Sequence, residues 1–488
     1  MPSMSFPAEN RAARGSAAAA PEPGDWPGLF EPAPESMSRD ERAGLQQARL
    51  RGLVDRLLQA AGPQAALLAA AGVTGGAEAG LDRLAALPFT TKQDLWNGYP
   101  FGLLAVPRDQ VVAVHGSSGT GGRPTLVSYS RADIALWARM CARALAAAGA
   151  RPGSIVHNAY GYGLFTGGLG FHQGGIELGA TVVPVSGGMT ARQVTLIRDL
   201  RPDILACTPS YAIRLADALA EAGLTPATGL SWTAGLFGAE PWTEELRKRI
   251  GDLLGLRPLD IYGLSEVIGP GVACECLAAD GLHVNEDHFL VEAVDPVTGA
   301  QVPEGQPGEL VFSTLTKEAL PLLRYRTGDI AALRSGDCPC GRTLVKMSKI
   351  TGRKDDMLVI RGVNVYPSEI ERALLAEPAL APDYLLVIDD RDGGRALIAC
   401  CERVTGRPQD WSSAHPGEHG AGQGSGTAGA ESDAELRARI EHQLHDVLGL
   451  RVQIALLDPG SVPRTEVGKA VRVRRWSGGE PPVRGLAG

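Results

Sequence analysis

The chain has 488 residues, 44% hydrophobic and 21% charged, too long for one ordinary core and too apolar for a largely disordered polypeptide, so two or more globular domains are expected. Its net charge of −8 argues against nucleic acid as the main partner, because a phosphate backbone calls for a basic surface. No apolar run approaches the ~20 residues of a membrane span, and eight cysteines without a secretory signal point to reduced thiols in a cytoplasmic protein.

Residues 1–25, rich in Ala and Pro, read as a disordered leader. The first stretch that carries chemistry is HGSSGTGGRPT, 115–125, which follows the apolar run VVAV. Its glycines let backbone N–H groups approach an anion and its hydroxyls add donors, which suits a phosphate; a Gly/Ser surface turn is the plain alternative. The spacing fits neither G-x-x-x-x-G-K-[ST] nor G-x-G-x-x-G.

From 130 to 265, SIVHNAY, ATVVPV, DILACTP and LDIYG read as buried strands alternating with amphipathic helices, the first of which sets Ile134, Trp137, Ala138, Cys141 and Leu145 on one face. Such alternation predicts an α/β domain of layered, largely parallel sheet. After 286 the texture becomes strand and turn, a β-rich subdomain over about 286–350. Beyond TGRKDD come the strand MLVI, a helix opened by a capping box from Ser368 to Glu371, the strand YLLVID, and a helix opened by Ser432 to Glu435. They make a small α+β C-terminal domain, interrupted at 412–430 by a low-complexity run that reads as a solvated loop.

FGAEPW (237–242), DIYGLSEVIGPGVACEC (260–276), YRTGDI (325–330), GRKDDMLVIRGVNVYPSEIE (352–371) and PRTEVGKAVRV (463–473) follow the loop in order. Together they resemble the adenylate-forming superfamily of acyl-CoA synthetases, and within it the phenylacetate-CoA ligase family, from about Phe30 to about Trp476. The resemblance implies an N-terminal adenylation domain over 26–354, a mobile C-terminal domain over 355–478 and a tail from 479 to 488. It also implies a two-step reaction. A carboxylate attacks the α-phosphate of MgATP to give acyl-AMP and pyrophosphate, and a thiol, normally coenzyme A, then displaces AMP.

Carried onto this chain, the resemblance makes Lys469, Glu266 and Thr120 catalytic. Ser117, Ser118, Gly119, Thr120, Gly121 and Gly122 would cradle phosphates, and Glu266 would hold Mg2+, a hard cation that favours oxygen ligands. Asp329 would bind the ribose, with Arg353 near it, and Gly238, Ala239, Glu240, Tyr262, Gly263 and Ser265 would hold the base and nucleotide. Lys469 would bridge carboxylate and α-phosphate, Asp355 would be the hinge, and Gly362 would reach a thiol tunnel. Tyr160, Tyr162 and Phe165 would line a pocket for an aromatic carboxylic acid, where glycines leave room for a flat ring; core packing explains at least one of them equally well. Read as bare sequence, Glu266 could be a helix-opening acid, Asp329 a turn residue and Lys469 solvated surface.

The chain departs from the family's GTTGKP loop by Gly121 for the second Thr and Arg123 for the Lys, which removes one donor and substitutes a bulkier, forked cation. The acceptor stays open between coenzyme A and a carrier-protein phosphopantetheine, and a homodimer stays open as the assembly. Cys276, His283, Cys338 and Cys340 form a candidate set for a structural Zn2+, with Cys274 able to replace Cys276; the plain alternative is unmetallated thiols.

Overall fold

The computed structural model describes residues 29–117, 124–354, 358–360, 363–365, 367–391, 396–404, 432–463 and 472–486. The leader 1–25 and the insertion 412–430 lie outside the described residues. An antiparallel hairpin, β1 (Val111–Ser117) and β2 (Thr125–Ser130), flanks the glycine-rich loop. β2 runs into the helix Arg131–Ala147, which opens with a capping box between Ser130 and Asp133. That helix is not simply amphipathic. From Leu136 onward, all but Arg139 are buried, because it is covered on one side by strands and on another by the helix Gly167–Leu178.

Five parallel strands follow: β3 (Ile155–Asn158), β4 (Thr181–Val183), β5 (Ile204–Cys207), β6 (Ala234–Gly238) and β7 (Arg257–Leu264), ordered β7-β6-β5-β3-β4. Four fall on the runs expected from sequence. β6 is harder to see because it is AGLFG, with glycine where β-branched residues would announce a strand. The glycines are needed there: a Cβ on Gly238 would stand 2.2 Å from the Ile261 carbonyl of the neighbouring strand.

The antiparallel strands β8 (Gly269–Cys274), β9 (Leu282–Val284), β10 (Phe289–Val294), β11 (Pro307–Thr314), β12 (Tyr325–Arg334) and β13 (Lys346–Met347) continue the same sheet. The order is β10-β11-β12-β13-β9-β8-β7, with β14 (Gly352–Arg353) paired to β12. The β-rich stretch expected over 286–350 is therefore hydrogen-bonded to the parallel strands through β13 and β9.

A short hairpin, β15 (Leu358–Ile360) and β16 (Val363–Val365), leads into a separate C-terminal sheet. That sheet contains β17 (Leu380–Asp389), β18 (Ala396–Arg403), β19 (Val452–Leu457) and β20 (Val473–Trp476), ordered β19-β18-β17-β20. Alternation along β17 serves both faces. Leu386 and Ile388 pack under the helices Pro367–Leu375 and Asp433–Leu448, while Leu385 and Val387 pack with Trp476, Val483 and Leu486, the last two in the segment read as a tail. The helix expected to open at Ser368 begins at Pro367, whose fixed φ and missing N–H suit a first helical turn. Among the described residues no helix is long and apolar enough to cross a membrane.

Where the helices Arg131–Ala147 and Gly167–Leu178 cross, glycine permits backbone contact. A Cβ on Gly174 would stand 2.3 Å from Cys141 Cβ and 2.8 Å from its carbonyl carbon. Alanine gains about 1 kcal/mol of helix propensity over glycine, but overpacking against immovable backbone costs about 1–3 kcal/mol. Gly174→Ala is expected to be net destabilising by up to ~2 kcal/mol, measured as a lower urea midpoint at unchanged slope.

Candidate active site

The C-terminal ends of β6 and β7 lie side by side, the edge at which open α/β sheets bind ligands. β7 carries Tyr262 and Gly263 and turns back through 265–268 into β8. Gly263 allows the turn, since a Cβ there would meet the Gly269 carbonyl at 1.8 Å. The turn presents Glu266, buried to 5% exposure. Its carboxylate accepts a hydrogen bond from Ser117 Oγ, at the end of β1, at 3.0 Å. Ser265 Oγ lies 3.3 Å from Thr166 Oγ1 and 3.5 Å from the Gly116 carbonyl, so the turn is laced to the mouth of the glycine-rich loop. Ser118, Gly119, Thr120, Gly121 and Gly122 lie outside the described residues, as do Asp355, Gly362 and Lys469.

Asp329, on β12, stands opposite Arg353 of β14 in register. Its two oxygens are engaged separately, Oδ2 accepting from Tyr262 Oη at 2.7 Å and Oδ1 from Arg353 Nη1 at 2.6 Å. Tyr262 stacks on Phe312 with centroids 6.0 Å apart. Burial, and then the Asp329 charge, push its phenol well above the ordinary range, so it remains a donor. Sequence spacing could not show this trio, whose members come from three strands.

In the segment read from sequence as holding the base, Ala239 has a positive φ of 73° immediately after β6. Glu240 is turned onto the backbone N–H of Ser210, 2.6 Å away, in the first turn of the helix Pro209–Glu221, where a carboxylate suits the unpaired amides. The three aromatics of the acyl-pocket reading are not in one setting. Tyr160 is a core residue, stacked 5.3 Å from Phe171 and donating to the Leu236 carbonyl. Tyr162 is half-buried, its hydroxyl accepting from Asn158 Nδ2 at 2.8 Å and lying 3.3 Å from His172 Nδ1. Phe165 is 51% exposed. The glycines beside them make room for the protein's own rings: a Cβ on Gly168 would be 2.8 Å from Tyr162 Cδ2, and one on Gly170 would be 2.6 Å from Trp137.

Cys276, His283, Cys338 and Cys340 converge beside the main sheet, all four donor atoms within 4.8 Å of one another. Cys276 Sγ is 3.6 Å from Cys338 Sγ, and Cys340 Sγ is 3.6 Å from His283 Nε2. Those lengths match the edges of a Zn2+ tetrahedron, about 3.5–3.8 Å for Zn–S near 2.3 Å and Zn–N near 2.0 Å. Hydrogen bonds from Cys276 and then Cys338 hold the Cys340 thiol well below its ordinary value, toward the thiolate a metal requires. Cys276 rather than Cys274 joins the group because β8 ends at Cys274 and the chain then turns, with the Ala278 N–H donating to Cys276 Sγ at 3.4 Å. Cys274 stays in the core, its thiol pushed up to about 12 by burial.

A mixed sheet with an acidic turn at the ends of its parallel strands, and a separate small sheet after it, is the architecture of an adenylate-forming enzyme. The family model described as AMP-binding enzyme matches residues 55–316. The chain is 49% identical to the phenylacetate-coenzyme A ligase of Thermus thermophilus, over 91% of this chain and 99% of that protein. The chain belongs to the AMP-binding enzymes, and within them to the phenylacetate-CoA ligase family. Among solved structures, 2-hydroxyisobutyryl-CoA ligase in its postadenylation state with R3-HIB-AMP has a TM-score of 0.79 at 29% identity over 96% of each chain. The same enzyme in its thioesterification state, with 2-HIB-AMP and CoA, gives 0.66 at 30% identity and equal coverage.

Tyr262→Phe removes a donor from a buried carboxylate while leaving the stack on Phe312. It is expected to lower unfolding free energy by about 1–3 kcal/mol, measured by denaturant titration.

Proposed function

We propose that the protein is an ATP-dependent, AMP-forming ligase that activates an aromatic carboxylic acid, aryl or arylacetic, and transfers it to coenzyme A. The observation that carries this reading is the meeting of Ser117 and Glu266 at 3.0 Å, which joins the mouth of the glycine-rich loop to a buried acid at the sheet edge. In the first half-reaction a substrate carboxylate oxygen attacks the α-phosphorus, and the bond to the bridging oxygen of pyrophosphate breaks. Attack of one anion on another needs alignment and charge neutralisation more than a covalent catalyst. When bound, Mg2+ supplies positive charge to the phosphate oxygens, and Glu266 is the residue that would hold it. Asp329, held by Tyr262 and Arg353, would accept from ribose hydroxyls. Lys469 would neutralise the carboxylate and α-phosphate as they meet.

In the second half-reaction the thiol attacks the acyl carbon, the C–O bond to AMP breaks, and the thiol proton is lost. We assign the hinge to Asp355 and the approach to the thiol tunnel to Gly362, and read the domains as 26–354 and 355–478. Two arrangements of the small sheet would then serve one cleft, one for each half-reaction. The cluster of Cys276, His283, Cys338 and Cys340 would hold a structural Zn2+, since all four protein ligands leave no open position for catalysis.

Lys469→Ala is expected to abolish pyrophosphate release from acid and ATP while sparing thioester formation from supplied acyl adenylate; equal loss of both half-reactions would remove the assigned role. A panel of aryl and arylacetic acids in the pyrophosphate-release assay identifies the substrate, and no turnover with any of them would overturn the aromatic reading. Elemental analysis is expected to find about one zinc per chain, with a chelator lowering the unfolding temperature. A metal-free protein of unchanged stability would exclude the site.

A further inference from the structure

Lys317, in the STLTKEAL stretch after β11, is 1% exposed. A lysine is almost never fully buried unless something compensates, because removing an ammonium from water costs several kcal/mol. Its Nζ donates to the main-chain carbonyl of Glu266 at 3.1 Å and stands 4.9 Å from the centroid of the Tyr129 ring. The hydroxyl of Tyr129 lies 3.2 and 3.1 Å from the carbonyl oxygens of Ser265 and Ile268. Two side chains from outside the acidic turn therefore engage three of its carbonyls.

The segment carrying Lys317 is itself fastened. Asp133 is fully buried, and its carboxylate accepts from the backbone N–H groups of Glu318 at 2.7 Å and Ala319 at 2.9 Å, as well as from Ser130 in the helix cap. Ser130 Oγ adds a bond to Glu318 at 3.0 Å. The chain of contacts runs from the helix start through Lys317 to Glu266 and on to Ser117, an arrangement of the kind that orients a metal-binding carboxylate through its neighbours.

We propose that Lys317 is a positioning residue for the metal-dependent first half-reaction, pinning the Glu266 backbone so that the carboxylate faces Ser117 and the bound metal. The inference rests on the reading of Glu266 as the Mg2+ carboxylate. Tyr129 from β2, Asp133 from the helix Arg131–Ala147, Glu266 from the turn and Glu318 beside it are the titratable groups around the ammonium. Burial pushes Lys317 down to about 8, with the Asp133 and Glu266 charges opposing. Burial raises the Tyr129 phenol well above its ordinary value, so it stays a donor.

The test is pyrophosphate release against Mg2+ concentration for the wild type, Lys317→Met, Glu266→Gln and the double variant, with circular dichroism as the check on folding. Lys317→Met is expected to raise the Mg2+ concentration at half-maximal rate by about 10–100-fold, leaving the KM for the acid and thioester formation from supplied acyl adenylate unchanged. The double variant should be no worse than Glu266→Gln alone, since both act through one carboxylate. A folded Lys317→Met with wild-type Mg2+ dependence, or with both half-reactions equally impaired, overturns the inference while Glu266→Gln still reports on Glu266. Unchanged Mg2+ dependence in Glu266→Gln removes the Glu266 assignment, and the inference with it. Should Lys317→Met not fold, Lys317→Gln takes its place with the same expected rise in Mg2+ requirement, and a folded Lys317→Gln with wild-type Mg2+ dependence overturns the proposal.

Discussion

Glu266 is a carboxylate held almost out of solvent at the end of a strand, and much of the surrounding structure answers that one constraint. A buried anion without partners is expensive. Here Ser117 donates to it from β1, and Lys317 places an ammonium on its own carbonyl. The turn that presents it is closed by a glycine-to-glycine approach at 263 and 269 and laced through Ser265 to Thr166 and Gly116. Apart from the glycine approach, none of these contacts is local in sequence. A carboxylate held this way is fixed in place, so little reorganisation is needed when its charge is met.

The same economy of space governs the glycine-rich stretch after Tyr160. Its glycines look suited to admitting a flat substrate, but Gly168 and Gly170 admit Tyr162 and Trp137, and Gly174 admits the backbone of the neighbouring helix. Close helix packing behind the sheet is what holds Thr166, and through it the acidic turn. Packing and site are one arrangement here, and the exposed Phe165 and half-buried Tyr162 remain the aromatics with surface to offer a ligand.

Asp329 shows how strand register builds a polar cluster. β12 and β14 pair so that Asp329 and Arg353 stand opposite, and Tyr262 reaches in from β7. Each carboxylate oxygen has its own donor, which fixes the rotation of the group as well as its position. The cluster of Cys276, His283, Cys338 and Cys340 follows a related logic, its members set by where β8 stops: Cys274 ends the strand facing the core, and the turn after it swings Cys276 to the other cysteines.

By itself the amino-acid sequence determined the alternation of strand and helix, the change of texture after 286, the separate C-terminal sheet and the family, because these rest on local periodicity and on short phrases in order. Four of the five parallel strands were legible; β6 was not, since its glycines answer a neighbour's carbonyl rather than a strand's own preference. It also named Cys276, His283, Cys338 and Cys340 as one candidate set, with Cys274 able to replace Cys276. Tertiary structure alone decided that choice, placed Tyr160 in the core, turned Glu240 onto a helix start, and put Lys317 under Glu266. The reason is that burial, register and side-chain direction depend on what lies across the fold, up to hundreds of residues away, and no spacing along one segment carries that information.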